Sequence, residues 1–153
     1  MATWKQLLGL APATLVLACG GGGVGGGTSA SPMASSPQAV SAFFRAAADS
    51  NLTRMAELWG TASGPVKQPM SEDTHKRIAL LQAWLKADST RVISDEPVAG
   101  DANRRRHTVA IWRSGCSKQI PVATVRTSNG WIVSNVEVAY AGNPARPCEP
   151  ATP

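Results

Sequence analysis

The sequence predicts an α+β domain, with about three N-terminal helices packed on a curved antiparallel sheet of about four strands. Two observations carry this. Between Ser36 and Leu85 apolar residues recur at three- and four-residue spacing, and after Asp88 the spacing becomes two. An Asn-Gly pair then separates two β-rich runs. Helices first and antiparallel strands after is the layering of an α+β domain.

Ser36 and Pro37 read as the N-cap and first residue of the first helix, the cap by its side-chain acceptor and the proline by its fixed φ. Val40, Phe43, Phe44 and Ala47 fall on one face of it, and Asp49-Ser50-Asn51 ends it. Leu52, Met55, Ala56 and Trp59 repeat the spacing in a second, short helix stopped by Gly60. Gly64, Pro65 and Pro69 mark a loop. Ser71 caps the third helix, with Glu72 and Asp73 in the first turn, where the helix dipole favours negative charge. Ile78, Leu81 and Leu85 form its stripe, widened by Leu80 and Trp84.

Strands are predicted over residues 90–94, 105–113, 119–127 and 131–140. Asn129-Gly130 suits a two-residue hairpin loop, since both turn positions need positive φ. That loop would set Val125 opposite Ser134, Ala123 opposite Val136 and Gln119 opposite Tyr140. Ala123, Val125, Ile132, Val136 and Val138 then form the core side. Val122, Thr124, Arg126, Val133, Asn135 and Glu137 form a mixed side. Pro121 cannot donate to a ladder, so its strand is expected at an edge or bulged there.

The N-terminus is of a different kind. Residues 7–18 are an apolar run after Lys5, too short for a hydrocarbon core of about 30 Å, which takes roughly 20 residues. With Ala18 as a small residue at its end, residues 1–18 read as an export signal. Val16-Leu17-Ala18-Cys19 resembles the lipobox of bacterial lipoproteins. Leu17 departs from the small residue usual at its place. The resemblance implies cleavage before Cys19, a diacylglyceryl group on its thiol, and acylation of the new amino terminus. The protein would then be membrane-anchored with its domain outside the cytoplasm. In a Gram-negative host it would sit on the periplasmic face of the outer membrane, because Gly20 is not a retention aspartate. Residues 19–37, rich in Gly and Ser, are expected to be a flexible tether with an r.m.s. span of roughly 20–25 Å. The glycines lack the flanking strand and lysine of a phosphate loop.

The order of helices and strands, opening with Pro37–Trp59, is similar to the nuclear-transport-factor-2-like (cystatin-like) superfamily over residues 38–141. That resemblance implies a cone-like domain with a pocket between sheet and helices. A minority of its members are enzymes, some using a buried carboxylate or a histidine–aspartate pair as base. Residues 142–153 are a Pro-rich tail. With Cys19 acylated, Cys116 and Cys148 are an even pair in an oxidising compartment, and a disulfide between them would pin the tail.

The formal net charge is +5, with 16% charged and 43% hydrophobic residues. Loss of the signal removes only Lys5. Such a surplus aids solubility and specifies no partner. Arg104-Arg105-Arg106 with His107 is the densest basic run, but Trp112 is its one nearby aromatic. Single-stranded nucleic acid requires stacking platforms beside the charge, so no nucleic-acid partner is expected. His75 falls in the exposed first turn of the third helix. His107 and Glu137 are the candidate catalytic groups, paired with each other or Glu137 with Arg126. Trp59, Trp84, Trp112 and Trp131 are either core or the lining of a ligand pocket. The histidines and two cysteines lack metal-ligand spacing, and no nucleophile-elbow, zinc-protease or nucleotide motif occurs, so no metal or cofactor is expected.

Three roles fit. The first is a lipid-anchored, non-catalytic binding or interaction module, its partners the membrane and a small apolar ligand or envelope protein. The second is an enzyme of isomerase or hydrolase type using the pocket of the same fold. The third is an accessory subunit of an envelope complex. Catalysis requires a buried carboxylate or histidine in a cavity. Ligand binding requires an open cavity lined by tryptophan and aliphatics. An interaction protein requires a filled cone and an exposed apolar patch.

Overall fold

The computed structural model of the protein describes residues 32–151. The signal segment, Cys19 and the glycine tract lie outside them. The chain forms α1 (Ser36–Ala48), α2 (Leu52–Glu57), a small hairpin of β1 (Gly60–Thr61) and β2 (Gly64–Pro65), and α3 (Glu72–Leu85). There follow β3 (Ser89–Val98), β4 (Asp101–Arg113), β5 (Cys116–Thr127), β6 (Gly130–Val136) and a 3-10 turn at Val138–Ala141. β3 to β6 make one antiparallel sheet in chain order. The described residues are thus α+β, with three α-helices and a four-stranded antiparallel sheet.

α2 and α3 begin where a side chain satisfies a free backbone N–H group, whereas α1 has no side-chain cap hydrogen bond, contrary to the expected serine cap. Asn51 accepts from the Arg54 N–H at 2.9 Å, and Ser71 from Thr74 at 3.3 Å. The cap of α1 is Ser35 rather than Ser36, and Pro37 still sits in the first turn. The predicted stripe of α1 is buried: Val40, Phe43 and Ala47 have no exposed surface. α1 lies against β3, β5 and β6, and α2 and α3 lie against α1. Phe43 and Phe44 meet edge to face at 6.0 Å in a core completed by Met55, Leu58, Leu85, Ile111, Ile120 and Val122. Arg113 is only 8% exposed and closes the C-terminal end of α3. Its guanidinium donates to the carbonyls of Lys86 at 2.6 Å, Ala141 at 2.8 Å and Trp84. A buried cation is tolerated there because its donors meet oxygens that the helix end leaves free.

The hairpins correct the predicted register. β4 and β5 turn through Ser114 (φ 49°) and Gly115 (φ 81°), the two positive values of a type I′ turn. At the last hairpin the loop is Ser128-Asn129, with Thr127 opposite Gly130, so Val125 faces Ile132 rather than Ser134. Gly130 (φ 138°) belongs to the strand because the incoming chain crosses there: a Cβ would stand 2.6 Å from the Met33 carbonyl. Met33 and Trp131 exchange backbone hydrogen bonds at 3.0 and 2.8 Å. The folded unit therefore takes in residues that the sequence reading assigns to the tether.

The core side is corrected too. Val122 and Val133 belong to the main apolar cluster, although the pattern assigned them to the mixed face. A bulge between Ala123 and Thr124 brings Val136 onto the same side. Val125 and Ile132, opposite one another, are also buried but stand outside that cluster. β6 stops at Val136, so Tyr140 is not opposite Gln119. β5 is internal, not an edge, and Pro121 is paired with Thr108. Its carbonyl accepts from Glu137 N–H at 3.0 Å, so its nitrogen points to where β6 has ended and costs no bond to β4. Cys116 and Cys148 form a disulfide, with Cα atoms 5.3 Å apart.

Candidate ligand-binding groove

The stripe of α3 does two jobs. Ile78 (2% exposed) and Leu85 (0%) enter the core, while Leu80 (63%) and Trp84 (39%) stay open to solvent. Between these two sets α3 forms one wall of a groove. Thr74, Arg77, Ile78, Leu80, Leu81 and Trp84 line that wall, and Trp59, Val66 and Val138 the other. Its volume is about 600 Å³, within the range of roughly 300–1,000 Å³ typical of small-molecule sites.

Trp59 is positioned from three directions. Its ring stacks on Phe43 at 5.6 Å, its carbonyl accepts from Val66 N–H at 2.9 Å, and its backbone bridges to Val133 of β6. The wall it makes is therefore fixed by core packing and by the sheet. Of the four tryptophans singled out by sequence, the structure brings Trp59 and Trp84 together here. Trp112 and Trp131 lie elsewhere, half-buried on β4 and β6.

His107 is on β4 with no exposed surface. Its Nε2 lies 3.1 Å from Thr124 Oγ1, and its Nδ1 is 3.5 Å from Asp95 Oδ1. That carboxylate is shared: Arg105 Nε donates to the same oxygen, and Ser36 Oγ at the start of α1 is 3.4 Å away. Nδ1 itself has no hydrogen-bond partner among the described residues. Burial holds the imidazole below its usual pKa, and Asp95 and the Ser94 backbone pull the other way. Glu137, the expected partner, is exposed and makes no ion pair with His107 or Arg126 among the described residues. It lies at the end of β6, whereas His107 pairs across β4 with Asp95 of β3. A wholly covered imidazole cannot reach a substrate, and His107 does not line the groove.

The basic run is divided by the alternation of a strand. Arg105 pairs with Asp95 and Arg104 with Asp101, while Arg106 is exposed. His75 is exposed in the first turn of α3. Among the described residues, no group of three or more His, Cys, Asp or Glu gathers as a metal site. No described helix is long and apolar enough to cross a membrane.

Of the groove residues, sequence reasoning named only Trp59 and Trp84: it missed Val66, Thr74, Arg77 and Val138, read Ile78, Leu80 and Leu81 only as the apolar stripe of the helix, and missed Asp95 as the partner of His107. Thr74 and Arg77 precede Ile78 and Leu81 at helical spacing, a signal that was available. No family model matches the chain, and comparisons with curated proteins and with solved structures find no match.

Proposed function

We propose that the protein is a lipid-anchored envelope protein whose domain is a non-catalytic binding module, taking a small apolar ligand in the groove between Trp59 and Trp84. The observation that carries this reading is the groove itself: seven apolar residues surround a volume of about 600 Å³, and among the described residues no buried acid or base lines it. Apolar walls with few polar groups suit an apolar ligand. The order helix, helix, small hairpin, helix and four antiparallel strands supports a nuclear-transport-factor-2-like, cone-like domain. The lipobox-like Val16-Leu17-Ala18-Cys19 supports an anchor at Cys19. Acyl chains would hold the chain firmly, since stable attachment takes two membrane signals and lipidation there supplies more than one chain.

The test is titration of the full chain carrying Cys19→Ser, free of detergent, with N-phenyl-1-naphthylamine, whose emission rises in apolar surroundings. One site is expected, and Trp84→Ala and Leu80→Glu should each weaken it at least about tenfold, the loss of roughly 1.5 kcal/mol of apolar contact. Dye binding unchanged in both variants contradicts the reading. For the anchor, Cys19→Ala should move the protein from the membrane to the soluble fraction, and unchanged membrane association would refute it.

A further inference from the structure

We infer that the groove is built for a single-chain amphiphile with an anionic head group, a carboxylate or phosphate ester, rather than for an uncharged hydrocarbon. This rests on the groove reading above and adds the ligand class.

The lining is apolar except at Thr74 and Arg77, which are neighbours on one face of α3. Both lie toward the start of the helix, whereas Trp84 lies in its last turn. From Arg77 to Trp84 the wall runs about 10 Å, seven residues at 1.5 Å each. Polar groups at one end and Leu81, Leu80 and Trp84 beyond them match a head and a tail.

Arg77 has its charge to offer. Its neighbour Lys76 is taken by Glu72 at 2.6 Å, but Arg77 makes no ion pair among the described residues, not even with Asp73 one turn earlier. A guanidinium fork matches the two oxygens of a carboxylate or phosphate. Thr74 adds a hydroxyl beside it, held 2.9 Å from Ser71 Oγ. The ligand would lie along α3 with its head at Arg77 and its chain between Trp59 and Trp84.

The test uses the full chain carrying Cys19→Ser and three ligands of equal chain length: dodecanoate, dodecyl phosphate and dodecanol. Calorimetry with dodecanoate alone reads the inference without dye. Binding is expected, about fourfold tighter for each methylene added from octanoate to dodecanoate, the factor that corresponds to about 0.8 kcal/mol per buried CH₂. Dodecanol should bind at least about tenfold more weakly than the better anion. Arg77→Gln should bring that anion down to the level of dodecanol, and Arg77→Lys should restore part of the preference. Which anion binds better separates fatty-acid from phosphoryl head groups. No dodecanoate or dodecyl phosphate binding, equal binding of dodecanol, or a preference that survives Arg77→Gln overturns the inference. Naphthylamine binding that persists beside such a result leaves the apolar-groove reading standing.

Discussion

At the scale of the residue, His107 ties stability to pH. Its pKa is lowered by burial, against the pull of Asp95. Between that lowered value and the ordinary value near 6.5, the unfolded chain binds a proton that the folded chain refuses. Stability from this group is therefore complete above about pH 6.5 and is lost as pH falls toward the folded-state value. Urea unfolding should show a lower midpoint at pH 5.5 than at pH 7.5. His107→Gln, which keeps a group able to bond Thr124, should flatten that difference, while His75→Gln at the exposed position should leave it. A slope unchanged by His107→Gln would place its origin elsewhere. The histidine was legible in sequence and its partner was not. The sequence predicts a strand over residues 90–94 only, and Asp95, Glu96 and Pro97 beyond it are residue types depleted in strands. β3 is an edge strand, where a proline is tolerated, so the strand runs on to Val98 and carries Asp95 to His107.

At the scale of the element, the helices were readable because their stripes and caps are local. Asn51 and Ser71 act as their residue types predict. The sheet was readable in type and less so in register, because register depends on which residue of a turn re-enters the ladder. Asn129-Gly130 signalled a hairpin correctly, yet Gly130 is held in β6 by the crossing of Met33. That crossing joins residues about a hundred apart and leaves no local signature. Gly130→Ala tests it. The added Cβ must meet the Met33 carbonyl and accept φ of 138°, and a cost of about 1–3 kcal/mol is expected from strain of this kind. Amide exchange should also quicken at Met33 and Trp131. A variant as stable and as protected as the parent would show that the crossing does not hold the glycine. The Val122–Val133 side became core for a related reason. A bulge lets one strand present Val133 and Val136 to the same side, which strict alternation forbids.

At the scale of the whole molecule, the far end of the chain is tied back to the sheet. The Cys116–Cys148 bridge spans 32 residues, and Lys118 Nζ donates to the Glu149 carbonyl at 2.5 Å beside it. Closing a loop of that length stabilises by about 3–4 kcal/mol in the chain-entropy model. Cys116→Ser with Cys148→Ser should lower the unfolding free energy by that order, and non-reducing peptide mapping should find one linked pair. Two free thiols would remove the tie. The sequence pointed to this pairing through cysteine number and an expected oxidising compartment, and the expected Gln119–Tyr140 pairing is not needed for it. The groove was legible only in part: Trp59 and Trp84 were named, but the opposing wall depends on a 3-10 turn that had read as strand.

Ligand occupancy of the groove can be read residue by residue in ¹H–¹⁵N spectra of the full chain carrying Cys19→Ser during titration with dodecanoate. If the groove binds the ligand, saturable shifts concentrate at residues 74–85, the Trp59 and Trp84 indoles, Val66 and Val138. Shifts centred on another face of the domain, or none at all, would contradict it.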